Sequence, residues 1–412
     1  MTTLSSGLTL AFDDTASVGT TALAFFVAVG SRDEQLHEWG MAHLLEHLVF
    51  KGAASRGQRA IARHMDRLGA DINAFTTRDY TCFHAKVLDS EALSAYRLLA
   101  DLVCEPWLRD EDLDREKGVV VEEMNESLDD PDDVVDTLIT EALYRDPAFT
   151  HDILGTPETL KGIDAANLRR FYHRWYRPDN MVLAVSGGAR EVILEASQQD
   201  FQTPSALSCL PRRRAVPPHQ FDQVERVEEW EQVKLALGVP APGRYHPDYA
   251  RALVVASLLG GQNSSRLWQR LREDEGLVYS VGTQYAPETD FGDMTTYLSL
   301  GPEKVPDALS ALFEELEKLT QDGPGDEELQ HTQMYLNTAL VMSQETPDAR
   351  VMRLGRYALD GLAAPDLSRT AALLSRVTSD AVQEEVSRWR DRSDIAAVAA
   401  GPLQEGIFRS WV

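Results

Sequence analysis

The sequence predicts an α+β protein of two homologous domains, each a mostly antiparallel sheet with helices packed on one face. Three observations lead to this fold class. A chain of 412 residues is longer than one ordinary hydrophobic core requires. Strand-like stretches come in sequential pairs with helical stretches grouped between them, which is typical of antiparallel sheets. The same order of elements then starts again in the second half, which indicates an old duplication.

Elements of the first half follow from apolar periodicity and from caps and prolines at the ends of periodic segments. The predicted strands are at 5–12, 21–29, 71–76, 80–88 and 180–187. The predicted helices are at 40–52, 57–69, 89–103, 109–128, 132–145 and 164–176.

Elements of the second half repeat this plan after a break. Residues 203–220 contain four prolines and a basic cluster in an otherwise acidic protein, which predicts a linker. Domain boundaries are therefore predicted at 1–202 and 221–412. After the linker, strands are predicted at 232–238, 277–287 and 291–300, with helices at 247–260, 264–273 and from about 302.

Composition limits the classes of partner. The chain has 66 acidic and 40 basic side chains and a formal charge of −26, so nucleic acid and anionic membrane surfaces are unfavourable partners. No apolar run reaches the length of about 18 residues that spans a bilayer. The N-terminus has no basic segment before its apolar run, and the three cysteines form no C-x-x-C pair. We therefore predict a cytoplasmic protein.

The segment GMAHLLEHLVFKG (40–52) contains an H-x-x-E-H pattern at His43, Glu46 and His47. Residues four apart on a helix lie on one face, so both histidines can bind one ion. This pattern is the inverted form of the H-E-x-x-H zinc motif, and it sets Glu46 beside the metal as a base for water. The surrounding helix is apolar, so burying three ionisable groups there without a partner would cost several kcal/mol. The sequence therefore predicts a metal site.

A catalytic zinc site needs a third protein ligand. The helix predicted at 109–128 offers several carboxylates, and sequence physics alone does not rank them. The candidates are Glu111, Glu116, Glu122, Glu123 and Glu126.

The chain resembles the pitrilysin and mitochondrial processing peptidase family of zinc peptidases nearly end to end. The segment 40–52 is similar to the zinc motif of that family, and REKGVVVEEMNESLDDP (115–131) to its downstream acidic segment. In the family, the third ligand follows another acidic residue by seven positions, which matches Glu123 after Glu116. The resemblance thus implies one zinc per chain on His43, His47 and Glu123, with Glu116 as a supporting catalytic carboxylate.

The resemblance also implies substrate contacts. Arg272 and Tyr279 match a family pair that contacts substrate, and Tyr279 could donate to a peptide carbonyl or to the developing oxyanion. Asn73, Ala74 and Phe75 match a strand edge along which substrates add as a β-strand. The stretch ALVVASLLGG (252–261), which aligns with the zinc helix, has no His or Glu and so cannot hold a metal in the same way.

A family member of this length implies two subunits that close into a chamber, as a homodimer or with a related inactive subunit. The resulting prediction is a zinc endopeptidase acting on peptides or unfolded polypeptides, with Arg272 and Tyr279 serving the active site of the partner. Two alternatives are a non-catalytic relative that kept the fold and a zinc hydrolase of small molecules. The intact motif disfavours the first, and a chamber of large domains disfavours the second.

Overall fold

The structure, a computed structural model, describes residues 1–13, 19–203, 216–364, 366–389, 391–403 and 406–410. Most of the predicted linker at 203–220 lies outside these residues. The chain forms two compact units. The first unit comprises Met1–Met124, His151–Arg213 and Met342–Pro365, and the second comprises Asn125–Thr150, Arg214–Val341 and Asp366–Val412.

Strands of the first half are β1 (Thr2–Thr3), β2 (Thr9–Phe12), β3 (Thr20–Val27), β4 (Gly52–Ala53), β5 (Arg56–Gly57), β6 (Asp71–Thr76), β7 (Thr81–Leu88) and β8 (Met181–Ser186). Within the described residues, six of them form one sheet in the order β1-β2-β8-β3-β7-β6, and β4 and β5 form a separate two-stranded ribbon. The β2–β8 pair is parallel and the other neighbours are antiparallel.

Helices of the first half are α1 (Met41–Val49), α2 (Gln58–Leu68), α3 (Ala92–Cys104), α4 (Asp110–Asp129), α5 (Pro131–Leu143), α6 (Pro147–Thr150), α7 (Pro157–Gly162), α8 (Ala165–Trp175) and α9 (Arg190–Asp200). Residues of α1, α3, α8 and α9 share one core with one face of the first sheet. Because side chains alternate along a strand, Leu23, Phe25 and Val27 of β3 reach this core. Ala22, Ala24 and Phe26 reach the opposite face.

The second unit repeats the topology of the first. Its strands are β9 (Gln223–Val227), β10 (Val233–Ala241), β11 (Ser280–Pro287), β12 (Gly292–Leu300) and β13 (Ala396–Gly401). Their order, β11-β12-β10-β13-β9, matches β6-β7-β3-β8-β2 strand for strand, and β13–β9 is the parallel pair, as β8–β2 is. The predicted fold class of two repeated, mostly antiparallel sheets is confirmed.

Helices of the second half are α10 (Tyr249–Gly260), α11 (Val305–Asp322), α12 (Asp326–Met342), α13 (Pro347–Leu359), α14 (Leu367–Leu374) and α15 (Ser379–Ser387), with a π-helical segment over Trp268–Asp274. The core against the second sheet takes residues from α10, α11, α14 and α15. Among the described residues, no helix is long and apolar enough to cross a membrane.

Each sheet is covered on its second face by a helix from the other half of the sequence. In the first unit, Val351 and Ala358 of α13 pack on Phe26 and its neighbours. In the second unit, Val135 and Ile139 of α5 pack on β10 and β13. The compact units are therefore not simply the two halves of the chain, and the boundaries at 1–202 and 221–412 stay a prediction about the repeats. An apolar helix stripe does not encode which sheet the helix will cover.

Candidate active site

The side chains of His43 and His47 on α1 meet Glu123 of α4. The two imidazole rings lie 4.6 Å apart between centroids. Glu123 Oε2 is 3.9 Å from His43 Nε2, and Glu123 Oε1 is 3.5 Å from His47 Nε2. One ligand atom from each residue falls within 4.8 Å of the others. Three side chains from two helices thus converge on one point.

The chemistry of this cluster fits a zinc ion. Glu123 Oε2 is buried, has no hydrogen-bond partner among the described residues, and lies 3.9 Å from His43 Nε2. Burial and the neighbouring His47 lower the pKa of His43 to about 4, so this ring is neutral, as a metal ligand must be. Two imidazole nitrogens and a carboxylate are ligands that catalytic zinc prefers. A bound cation would also offset the burial of these polar atoms.

The other candidate carboxylates of α4 lie in different environments. Glu111, Glu122 and Glu126 are exposed. Glu116 is buried, and each of its oxygens has a partner: Oε2 is 3.3 Å from His47 Nδ1, and Oε1 is 2.8 Å from Lys51 Nζ. Glu116 can therefore fix the orientation of the His47 ring. Helix geometry alone left open which carboxylate joins the histidines and the family resemblance implied Glu123; in the structure Glu123 lies 3.5 Å from His47 Nε2.

Glu46 lies on the same helix as the two histidines and is partly buried. Burial raises the pKa of its carboxyl, while a hydrogen bond from Thr76 opposes that shift. The Thr76 hydroxyl donates to Glu46 Oε2 at 2.5 Å. A carboxylate with a raised pKa, on the helix that carries the candidate ligands, can accept a proton and return it.

Asn73, Ala74 and Phe75 lie on β6, which is the last strand of its sheet. One edge of β6 pairs with β7, and no strand of the described chain pairs with the other. Asn73 is exposed, whereas Ala74 and Phe75 are partly buried. The Phe75 ring lies 6.0 Å from that of Tyr80. A free strand edge can accept an extended peptide by main-chain hydrogen bonds.

Arg272 and Tyr279 belong to the second unit. Arg272 lies in the π-helical segment, with its guanidinium 4.2 Å from the centroid of the Trp268 ring. Tyr279 directly precedes β11, and its side chain is 70% exposed. Tyr279 is therefore available to contact another molecule, whereas Arg272 is partly buried against Trp268.

Three positions that the sequence did not single out support α1. Glu34 is buried and accepts hydrogen bonds from Gly40 N at 2.9 Å and Ala42 N at 2.6 Å, at the start of α1. His151 Nε2 lies 3.2 Å from the same carboxyl, and its ring stacks on Trp39 at 4.5 Å. No local pattern could have found Glu34 or His151, because they meet only in the fold. Lys51 could have been considered from the sequence, because it follows His47 by four positions and residues at this spacing are neighbours on a helix surface.

Comparison with known proteins gives the same family over most of the chain. Residues 10–157 match the family model described as insulinase (peptidase family M16), and residues 162–336 match that of the peptidase M16 inactive domain. A Bacillus subtilis protein named uncharacterized zinc protease YmxG is 32% identical over 357 residues, which covers 87% of each chain. A Streptomyces coelicolor protein, also named as a zinc protease, is 31% identical and covers 98% of this chain and 90% of its own length.

Solved structures agree on the fold. A Pseudomonas fluorescens peptidase M16 inactive domain has a TM-score of 0.87 at 22% identity, with 97% of both chains covered. A Helicobacter pylori protease has a TM-score of 0.85 at 19% identity, with 97% of this chain and 98% of that chain covered. Together with the family models and the zinc protease relatives, these likenesses confirm the resemblance drawn from the sequence. The chain belongs to peptidase family M16, the pitrilysin and insulinase family, and is a zinc metalloprotease of the short bacterial type.

Proposed function

We propose that this protein is a zinc endopeptidase that hydrolyses peptides or unfolded polypeptide segments, with one zinc ion per chain. The observation that carries the proposal is the cluster of His43, His47 and Glu123, whose ligand atoms lie within 4.8 Å of one another, with Glu46 on the same helix. In this reading His43, His47 and Glu123 hold the metal. When bound, zinc supplies a Lewis acid for the scissile carbonyl and lowers the pKa of water.

Glu46 moves the protons of the reaction. It takes a proton from the water that attacks the scissile carbonyl, and it passes that proton to the amine as the C–N bond breaks. Its burial favours this role, because a raised pKa brings its proton affinity closer to that of the groups with which it exchanges. Glu116 accepts from His47 Nδ1 and so keeps Nε2 directed at Glu123.

Substrate would add as an extended strand to the free edge of β6, with Asn73, Ala74 and Phe75 alongside it. Main-chain pairing of this kind needs an unfolded segment and tolerates many sequences. Arg272 and Tyr279 would contact the substrate bound to a partner subunit, with Tyr279 donating to the carbonyl oxygen. The partner is a second copy or a related subunit, and the two would enclose the substrate in a chamber.

The test compares wild type with Glu46→Gln on a long, unstructured peptide, with zinc measured in both. Glu46→Gln keeps the size of the side chain but removes the base. We expect about one zinc per chain in both proteins and cleavage by the wild type only. Glu122→Gln is the matched control: it removes an exposed carboxylate next to Glu123, and both zinc and turnover should stay unchanged.

Two results would contradict the proposal. If Glu46→Gln cleaves the peptide at the wild-type rate, Glu46 is not the base of the reaction. Stoichiometric zinc in the wild type without cleavage, also in the presence of a related partner subunit, would make the protein a binding relative rather than a peptidase.

A further inference from the structure

The hydroxyl of Thr76 contacts the carboxylate proposed to move protons. Thr76 is the last residue of β6, and its Oγ1 donates to Glu46 Oε2 at 2.5 Å. Both side chains are partly buried. A hydrogen bond to an ionised carboxylate is short and strong, so it can hold one oxygen of Glu46 in a fixed place. The other oxygen is left for the proton of the reacting water.

A glutamate side chain needs such a partner to act as a precise base. It has several rotatable bonds, and fixing them costs conformational entropy that a hydrogen bond can offset. Misplacing a reacting group by about 1 Å can cost on the order of 100-fold in rate. The Thr76 hydroxyl therefore bears on turnover more than on zinc or substrate affinity.

Thr76 is itself held by the sheet. Its backbone pairs with Thr81 across the β6–β7 ladder. Residues on strands are placed more precisely than residues on loops. Asn73, Ala74 and Phe75 precede Thr76 on the same strand, so the strand with the free edge also fixes the base.

We propose that Thr76 is a positioning residue for Glu46 and that it fixes the base relative to a peptide added along β6. This inference rests on the proposed function. It assigns to one strand both the alignment of the substrate and the orientation of the carboxylate that acts on it.

The experiment measures kcat, KM and zinc content for Thr76→Val and Thr76→Ser. Valine keeps the shape of threonine without the hydroxyl, and serine keeps the hydroxyl without the methyl group. The matched control is Thr81→Val, since Thr81 is the cross-strand partner of Thr76 and its hydroxyl donates to the backbone oxygen of Val29 at 3.0 Å rather than to Glu46. Thr76→Ala serves as a second variant if valine prevents folding.

We expect Thr76→Val to lower kcat by roughly 10- to 100-fold, with KM and zinc content near those of the wild type. Thr76→Ser should recover most of the turnover. Thr81→Val should lower the unfolding temperature and leave kcat within about twofold, because it removes a buried hydrogen bond to the backbone and leaves the Thr76–Glu46 bond in place.

Three results would overturn the inference: unchanged kcat in Thr76→Val, equal losses in the valine and serine variants, or a higher KM at unchanged kcat. The last result would assign Thr76 to substrate binding. None of the three results contradicts the proposed function. Turnover by Glu46→Gln at the wild-type rate would contradict both the proposed function and this inference.

Discussion

Helices α1 and α10 occupy the same place in the two units, yet only α1 carries a cluster that can hold a metal. Each follows the central strand of its sheet and precedes the strand at the sheet edge. In α1, three ionisable side chains share a helix whose other residues are buried and apolar. In α10, the buried positions carry only alanine, valine, leucine and one serine. The repeated fold provides a buried helix beside a strand edge, and a few side chains on that helix make the site.

The starts of the two helices differ as well. The first amides of α1 donate to the buried Glu34 carboxyl, whereas Asp248 at the start of α10 makes no capping hydrogen bond through its side chain. Instead, Asp248 pairs with Arg251 at 2.8 Å. The helix that carries the candidate ligands is thus anchored at its start by a buried carboxyl that accepts from its amides, whereas the start of its apolar counterpart is held by ion pairs of Arg251 with Asp248 and with Glu385 of α15.

A third difference concerns the helices that cover the outer faces of the two sheets. Gly355 is the ninth residue of α13, and a Cβ there would lie 2.0 Å from Phe26 Cε2 of β3. Ile139 is the ninth residue of α5 and faces Gly238 of β10, where a Cβ would lie 3.2 Å from Ile139 Cγ1. One unit places the small residue on the helix and the other places it on the strand. The same contact is therefore filled in two complementary ways.

The largest effect should come from removing a ligand on α1. In His43→Ala or His47→Ala, we expect zinc content to fall from about one per chain to near zero and peptide cleavage to fall to background, because two protein ligands rarely hold a catalytic zinc. Elemental analysis of dialysed protein measures this. His173→Ala on α8 is the control, since His173 is exposed, and it should keep its zinc. If both ligand variants keep about one zinc per chain, the proposed difference between α1 and α10 is contradicted.

The anchor of α1 predicts a dependence of stability on pH. Burial raises the pKa of Glu34 to about 7 from 4.5, so the folded chain binds this proton more tightly than the unfolded chain does. The stabilisation is therefore complete below about pH 4.5 and is lost as the pH rises toward 7. Relative to Glu34→Gln, the free energy of unfolding of the wild type should fall by up to roughly 3 kcal/mol over this window.

Urea denaturation of the zinc-free proteins at several pH values measures this difference. Zinc must be absent, because metal binding has its own pH dependence. His151 lies 3.2 Å from the same carboxyl, so the comparison measures the pH dependence of the Glu34–His151 pair. Parallel stability profiles for the two proteins would show that folding does not raise the pKa of Glu34.

A smaller effect should distinguish the two sheet-covering helices. Gly355→Ala places a methyl group against the fully buried Phe26 ring and should lower the free energy of unfolding by about 2 kcal/mol. A methyl group in Gly238→Ala would lie 3.2 Å from Ile139 Cγ1 and 3.4 Å from Thr295 Oγ1, a much milder contact, and should change the free energy of unfolding by less than about 1 kcal/mol. Denaturant titration of both variants gives the comparison, and equal effects would contradict the complementary packing described above.

Much of the fold was predictable from local patterns. The helix predicted at 109–128 is α4 (Asp110–Asp129), and the strands predicted at 71–76 and 80–88 are β6 and β7 (Thr81–Leu88). Periodicity and caps act within a few residues, so the sequence carries this information locally. It was not predictable that α5 would cover the second sheet and α13 the first, because the apolar stripe of each helix would fit either sheet.

The candidate site was predictable where its residues share a helix. The spacing of His43, Glu46 and His47 follows from helical geometry, whereas Glu123 was one of five carboxylates until the family resemblance favoured it. Thr76 and Glu34 left no signal, since a threonine at the end of a strand and a glutamate in a loop are ordinary residues. Their roles depend on contacts between segments that only the fold brings together.

The most direct test of the central claim is a crystal structure of the zinc-loaded protein with anomalous scattering measured at the zinc edge. We expect one strong peak per chain, bound by His43 Nε2, His47 Nε2 and the Glu123 carboxylate, and no peak beside α10. A peak on Glu122 or Glu126 without the histidines, or a zinc ion bound only in the second unit, would contradict it.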